Sequence, residues 1–320
     1  METVAVTGAT GFIGQALVRR LIDRSAKIRV LTRNYKKGIE LWPSDSVEVF
    51  EGDLVDSFYD LKRFLKEVDI LFHCAGEIRD SKKMYGTHIE GTRNLCHAGA
   101  NRIRHWVQLS SVGVYGPTRD GVVNENSNLN PQGLYEMSKS ESDRLVIRSA
   151  EKGGFSFSLL RPSIVFGPKM QNQSIFQLIG MIAKGVFFFV GKKGASANYI
   201  HIDNVIEGLI KCAENPSALG QAYNLSDHRT IETFVATIAK LLHRSKPMLR
   251  IPETPVRYIA KHVGRLKGFP LSESRVDALT NRVIYSTRRI KTELGYSHVI
   301  TLEDGIVQMV AAWKKMQTTR

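Results

Sequence analysis

The chain predicts an α/β fold: a doubly wound parallel sheet with a smaller, mixed C-terminal lobe. Three observations carry that expectation. Short β-branched runs alternate with helical stretches through the first half, several of those runs are apolar at almost every position, and three glycines stand where the first run gives way to the first helix. A strand that is apolar throughout is buried on both faces, as strands of a helix-covered parallel sheet are. In order, strands are read at residues 3–7, 28–32, 47–50, 69–73, 106–110, 156–161 and 221–225, with the first helix at 12–24. Two stretches break the alternation. Residues 167–200 hold Gly-Pro, polar residues and an apolar helix at 175–184, and 246–285 is interrupted by Pro and Gly. We assign 1–166 with about 200–230 to the sheet domain, and 167–199 with 231–320 to the smaller lobe. There is no internal repeat and no low-complexity tract.

Composition narrows the function classes. With 320 residues and 42% hydrophobic content, the chain can bury a substantial core. An apolar run such as 186–190 is far too short to span a bilayer, and the N-terminus opens into a strand instead of a secretory signal, so we expect no integral membrane segment and a cytoplasmic location. Cys74, Cys96 and Cys212 are odd in number and widely spaced, which fits a reduced compartment. Neither they nor the nine dispersed histidines have metal-ligand spacing, so no metal is expected. The net charge of +14 is spread over short clusters (33–37, 288–291, 314–315) without a nucleic-acid-reading motif. It reads as solvated faces plus small phosphate-bearing ligands, with no nucleic acid as partner and a peripheral membrane contact left open.

The glycines are Gly8, Gly11 and Gly14 in VTGATGFIG. The first permits a tight turn, the second close approach to a pyrophosphate, and the third helix–strand packing, while Thr10, Phe12 and Ile13 complete the cradle at the helix N-terminus. This is the Rossmann arrangement for a dinucleotide, supported by the strand before it and the helix after it. At the end of the second strand, Leu31-Thr32-Arg33-Asn34 lacks the acid that would take an adenosine 2′-hydroxyl. Arg33 suits a 2′-phosphate, which favours NADP with NAD possible; otherwise it is a surface arginine. After the third strand, Asp53 and Leu54 reach the adenine, or Asp53 only starts a helix.

LYEMSK puts Tyr135 and Lys139 four residues apart, on one helical face. A free Tyr, with a pKa of ~10, is a poor acid–base group. A nearby Lys cation and an oxidised nicotinamide both favour the phenolate and bring it into a useful range. Ser110 and Ser111 end the strand at 106–110. Ser111 is positioned to share a substrate oxygen with Tyr135, the alternative being an ordinary strand-end turn.

Taken with TGATGFIG, SSVGVYG and YEMSK, the pieces GDL, CAG, GTRNL, RPSIVFGP, YIHIDNV, YNLSD, LGY and LEDGI make the chain resemble the extended short-chain dehydrogenase/reductase family, the NAD-dependent epimerase/dehydratase group, over nearly its whole length. The resemblance implies Ser111, Tyr135 and Lys139 as the catalytic set, with Lys139 also holding the nicotinamide ribose. It implies Cys74, Ala75 and Gly76 beneath that ribose, Pro162, Ser163 and Ile164 against the nicotinamide, Ser110 in the cofactor site, and Glu77, Val112, Asn172 and Lys192 toward the substrate. It further implies a homodimer through helices beside Tyr135. One departure is His88 in THIEGT, where the family usually has Asn; it is either a titratable relay member or a neutral space-filler.

Arg33 tilts the reaction toward an NADP(H)-preferring carbonyl reductase or dehydrogenase, and Val112 after Ser111 argues against a dehydratase. A nucleoside-diphosphate sugar is the first substrate class, its diphosphate met by Lys169, Lys184, Lys192 and Lys193; a redox-neutral sugar-nucleotide epimerase using NAD is the alternative. The apolar run in 185–190 and the segment 275–296 also resemble 3β-hydroxysteroid dehydrogenase- and dihydroflavonol reductase-like enzymes acting on a hydrophobic alcohol or ketone, although the run equally suits a core strand. A non-enzymatic NADP sensor is a further reading, opposed by the intact Ser, Tyr and Lys set.

Overall fold

The computed structural model describes residues 2–24, 27–42, 46–56, 60–170, 172–263 and 272–318. Seven strands form one parallel sheet in the order Gln221–Leu225, Ser156–Pro162, His105–Leu109, Ile70–His73, Thr3–Thr7, Lys27–Thr32 and Val47–Glu51. These are the seven runs read from the sequence, with ends moved by a residue or so. Val4 and Val6 enter the cluster containing Leu17, Val18, Val205 and Leu209, whereas Ala5 between them joins Leu71, Leu95, Trp106 and Leu159 on the opposite face. Successive side chains of a strand point to opposite faces, so helices on both sides leave neither parity in water. Fully burying one Leu or Val contributes about 1.5–3 kcal/mol, and these two clusters hold dozens of apolar side chains.

Helix Phe12–Ile22 stops two residues before the predicted end. Helix Leu134–Glu151 is longer and packs on the other face, with Val146 fully buried.

A further apolar cluster surrounds a three-stranded sheet made of Asp227–Thr230, Ser196–His201 and Ile164–Phe166. Helices Ser174–Ala183, Ile231–Leu241 and Leu302–Thr318 cover it with Phe176, Ile179, Phe234, Ile306 and Met309. The Phe run of 185–190 is built into this region: Phe187 and Phe189 are buried, and Phe189–Val190 pairs with Arg250–Ile251. The irregular stretch 246–285 holds helices Glu253–Val263 and Glu273–Thr280. Residues 264–271 of the predicted lobe lie outside the described residues. No helix among the described residues is long and apolar enough to cross a membrane.

Candidate active site

The first strand delivers the chain to Gly8, whose φ of +69° is the left-handed conformation that glycine tolerates. A Cβ there would lie 2.7 Å from the backbone of Cys74 and Ala75, so the turn touches the exit of the neighbouring strand. Gly14 packs as closely, since its Cβ would lie 2.1 Å from the Gly8 carbonyl oxygen. Gly11 N–H donates to the Gly8 carbonyl at 2.9 Å and caps helix Phe12–Ile22. That helix has no side-chain cap and no acid in its first turn, which leaves first-turn amides for an anion. Gln15 Nε2 donates to the Thr10 carbonyl at 2.9 Å and fixes the loop. These features fit a dinucleotide pyrophosphate. Beside them lies a cavity of ≈ 360 Å³ lined by Thr10, Phe12, Gln15, Arg19, Lys37 and Lys169, among others. Lys169, assigned above to the substrate diphosphate, is therefore at the glycine-loop end.

Arg33 is exposed at the sheet's carboxyl edge and has no carboxylate partner among the described residues. The next residue, Asn34, caps helix Tyr35–Leu41 by accepting from Lys37 N–H. Asp53 Oδ1 accepts from Val55 N–H at 3.2 Å and closes a turn, whereas the alternative offered for it was the start of a helix; the next helix, Leu61–Phe64, is capped by Asp60. Leu54 is buried beneath Gly91, and its carbonyl accepts from Asn94 Nδ2 at 2.9 Å, so both are spent within the protein.

Tyr135, Lys139 and Asp143 recur at four-residue intervals along helix Leu134–Glu151, on one face. The Ser111 hydroxyl lies close enough to the Tyr135 phenol to favour its charged form, so the two predicted hydroxyls are neighbours. Ser111 Oγ also accepts from Gly113 N–H at 3.1 Å. Lys139 is 4% exposed and donates to the Leu109 carbonyl at 2.6 Å, pinning the helix to the end of the strand. Burial lowers its pKa from the ordinary lysine value, and the Asp143 carboxylate opposes that shift. One expectation is corrected. Burial pushes the Tyr135 phenol up to about 12, and the neighbouring Ser111 hydroxyl only partly offsets it. Within the protein alone, burial together with the Glu136 and Asp143 carboxylates outweighs the Ser111 contribution.

Ser110 is also corrected. Its hydroxyl donates to Asp143 Oδ2 at 2.6 Å and is buried, so the side chain serves the protein instead of a ligand. Burial lifts the Asp143 carboxyl above its usual value, with Arg161 and Lys139 pulling it back. Arg161 donates to the Tyr115 hydroxyl at 3.0 Å, and Tyr115 donates to Asn224 Oδ1 at 2.9 Å. This chain was not visible in the sequence; the one signal was Asp143 continuing the spacing of Tyr135 and Lys139. Of the residues expected at the nicotinamide, Cys74 and Ala75 are half-buried at the close approach to Gly8, and Gly76 is exposed with His88 in front of it. Ser163 is buried with an Oγ that has no partner among the described residues, Pro162 is buried beside it, and Ile164 is 49% exposed.

His88 has both ring nitrogens committed. Nε2 accepts from Glu77 N–H at 2.8 Å, so the ring proton is on Nδ1, which donates to Ser138 Oγ at 2.7 Å. Ser138 in turn donates to the Tyr135 carbonyl at 2.9 Å. Burial, followed by the Lys139 charge, lowers the His88 pKa to about 3. The neutral reading of His88 is the one this geometry supports. Deeper still, Thr7 Oγ1 and His73 Nδ1 are 2.6 Å apart, His73 Nε2 and Thr92 Oγ1 3.0 Å, and Thr92 and Ser142 hydroxyls 2.9 Å, joining the first strand to helix Leu134–Glu151.

A stability measurement tests the His88 assignment. The folded-state pKa of about 3 lies below the ordinary 6.5, so the unfolded chain binds the extra proton between those values. The contribution is fully present above the unfolded pKa and is lost as pH falls toward 3. In urea unfolding from pH 7 downward, His88→Asn should lose stability more slowly than the parent, by about 1.4 kcal/mol per pH unit in that interval. Identical acid slopes for the two proteins would contradict a buried neutral imidazole.

The predicted substrate contacts are scattered. Burial tends to raise the Glu77 carboxyl, but backbone N–H groups of Arg79, Asp80 and Ile78 outweigh it and hold the carboxylate below its usual value. Glu77 therefore closes its own turn. Val112 is buried, Asn172 is exposed and accepts from Ser174 N–H, and Lys192 is exposed with its carbonyl taken by Arg282. Lys184 and Lys193 are likewise exposed. Burial pushes the thiols of Cys74, Cys96 and Cys212 up to about 12. Among the described residues, no group of three or more His, Cys, Asp or Glu is arranged to hold a metal ion.

Comparison with known proteins agrees with this geometry. A sequence model of the NAD dependent epimerase/dehydratase family matches residues 4–226. The chain is 24% identical over 327 residues to a UDP-glucose 4-epimerase of Vibrio cholerae, covering 98% of this chain and 95% of that relative. It is 26% identical over 336 residues to a 3 beta-hydroxysteroid dehydrogenase/Delta 5-->4-isomerase of Mycobacterium tuberculosis, covering 95% and 88%. Its fold matches the crystal structure of UDP-glucuronic acid 4-epimerase from Bacillus cereus in complex with NAD, with a TM-score of 0.77, 18% identity, and coverage of 98% and 99%. With the family match spanning more than half its length, the chain belongs to the NAD dependent epimerase/dehydratase family, among the extended short-chain dehydrogenases/reductases.

Proposed function

We propose that this enzyme is an NADP(H)-preferring carbonyl reductase or dehydrogenase that acts on a nucleoside-diphosphate sugar, with the sheet domain holding the cofactor and the smaller lobe the substrate. The observation that carries the reading is the closeness of the Tyr135 and Ser111 hydroxyls, with Lys139 one helical turn away. When bound, the nicotinamide supplies or accepts the hydride. Tyr135 gives its proton to the developing alkoxide, or takes it back in the oxidative direction. Ser111 donates to the same oxygen and steadies its charge. Lys139, whose charged form the Asp143 carboxylate favours, offers donors to the ribose.

Arg33 supports the NADP preference: it is exposed, free of an acidic partner among the described residues, and at the end of the second strand. Arg33→Ala should weaken NADPH binding by about tenfold or more and NADH binding hardly at all, since a charge-assisted bidentate contact is lost only with the 2′-phosphate. Titrating both cofactors against both proteins decides it; equal losses would remove the 2′-phosphate role.

Similarity to the Vibrio epimerase supports a second reading, a redox-neutral epimerase that retains NAD. Similarity to the mycobacterial dehydrogenase supports an apolar alcohol as substrate. The buried Phe187 and Phe189 are spent on the protein's own core, which leaves that apolar reading without a ligand-facing run in 185–190. Incubation with a UDP-sugar and NADPH separates the outcomes: net cofactor oxidation supports the reductase, whereas sugar interconversion without it supports the epimerase.

A further inference from the structure

Two stretches of the smaller lobe, unused by the proposed reaction, hold no acidic residue: one runs from Glu151 to Asp203, the other from Glu232 to Glu253. Both reach the same edge of the lobe. The last helix, Leu302–Thr318, joins them: a Cβ on Gly180 of helix Ser174–Ala183 would lie 3.7 Å from Trp313 Nε1, and the next residue, Lys314, donates from Nζ to the Leu241 carbonyl at 3.4 Å. Leu241 ends helix Ile231–Leu241, so two helix ends lie side by side. The segments leaving them, 184–190 and 242–251, run as parallel neighbours and pair where Phe189 meets Arg250 and Val190 meets Ile251. Phe187 and Phe189 turn inward, but Met248 is 84% and Leu249 62% exposed, and Val186 is exposed beside them. Helix Glu253–Val263 buries Val256 and Ala260 in a cluster with Val190 and Ile251, which turns Tyr258 and Ile259 outward. Cations are interleaved with these apolar groups. Lys184, Lys240, Arg244, Lys246 and Lys261 are exposed, and none has an ion-pair partner among the described residues. The acids that flank the second stretch are already engaged, Glu232 by Arg250 at 2.6 Å and Glu253 by Arg257 at 2.7 Å.

Aliphatic side chains gathered on an exposed surface mark a contact site, and the unpaired cations around them select what covers it. A second copy of the chain would set cation against cation across a two-fold axis. Nucleic acid answers the charge but is bound through phosphates and base edges, and it offers Met248 and Leu249 no hydrocarbon to enter. An anionic lipid surface answers both features. We propose that this edge of the smaller lobe docks on an anionic membrane surface, with Val186, Met248 and Leu249 entering the headgroup region and Lys184, Arg244 and Lys246 meeting lipid phosphates. The contact is peripheral and reversible, and it places the cationic excess of the chain to use without a spanning segment.

Co-sedimentation of the full chain with vesicles tests this, comparing phosphatidylcholine alone with phosphatidylcholine that contains about one third phosphatidylglycerol. The protein should pellet with the anionic vesicles, stay in solution with the neutral ones, and be released as salt rises. Met248→Ser/Leu249→Ser keeps every charge and alters only exposed positions; it should weaken vesicle binding by at least about tenfold. Arg244→Gln/Lys246→Gln should weaken it by about tenfold or more. Lys62→Gln/Arg63→Gln removes the same charge from exposed positions of the sheet domain and should bind as the parent does. Absence of binding at low salt, or equal binding to both kinds of vesicle, would overturn the proposal. Unchanged affinity in the Met248/Leu249 variant would overturn it too, since the face would then read charge alone, as a polynucleotide or an acidic protein allows. Losses as large in the Lys62/Arg63 variant as in the Arg244/Lys246 one would overturn the placement on this edge. Because the readout is binding away from Tyr135, it stands or falls independently of the proposed reaction.

Discussion

Tyr135→Phe should lower turnover by about 10²- to 10⁴-fold while leaving cofactor affinity within a few-fold of the parent. The substitution removes one oxygen and keeps the ring, which meets His88 edge-on at 5.7 Å between centroids. The helix and the Lys139 bond to Leu109 lie outside the change, so the melting temperature should hardly move. What disappears is the proton donor beside Ser111. The pH profile carries a second signature. With the phenol pushed up to about 12 in the protein alone, the rate of alcohol oxidation should rise with pH toward whatever value the bound cofactor sets, because only the phenolate accepts the proton. The reductive rate should fall over the same range. A fully active phenylalanine variant would remove this residue from the chemistry.

Gly14→Ala should be the more damaging change to structure. The added carbon would lie 2.1 Å from the Gly8 carbonyl oxygen, 2.7 Å from the Gly8 carbonyl carbon and 2.8 Å from Ala9 Cα, all of it backbone that cannot swing aside. Helix Phe12–Ile22 would have to lift off the first strand, costing about 1–3 kcal/mol for overpacking and carrying the first-turn amides away from any phosphate they serve. We expect a lower melting temperature together with cofactor affinity reduced by at least about tenfold. Gly180→Ala is the matched control. It too lies inside a helix, but the added carbon would meet only Trp313 Nε1, at 3.7 Å, among the described residues, so the change should be neutral or stabilising by up to about 1 kcal/mol. If Gly14→Ala behaved like the control, the close packing at the glycine turn would be wrong.

The central sheet was legible because its strands announce themselves locally. Burial of both faces turns each into a short apolar run, and the glycine turn fixes where the first helix begins. Tyr135 and Lys139 were legible for a similar reason, since a four-residue interval is one helical turn. The polar machinery beneath them was not. Asp143, Arg161, Tyr115 and Asn224 lie in four separate elements and Ser110 in the loop after a fifth, and the Thr7–His73 and Thr92–Ser142 contacts close over gaps of 66 and 50 residues. No local pattern encodes such pairings. The displaced phenol pKa had the same origin: the sequence supplied the ammonium, but the extent of desolvation depends on everything folded around it. Lys169 stands with Thr10, Phe12 and Gln15, residues far from it in sequence, which no local pattern around 169 could show.

The two-sided cover of the central sheet has a consequence for substitution. In a half-exposed strand every second position is forgiving, and a polar or charged replacement there escapes into solvent. Along Val4, Ala5 and Val6 that refuge is missing, since the odd and the even residue each end in hydrocarbon. Tolerance to change in this protein should therefore follow the outward faces of the helices and loops, and the strand interiors should show no alternating rhythm of permissive sites.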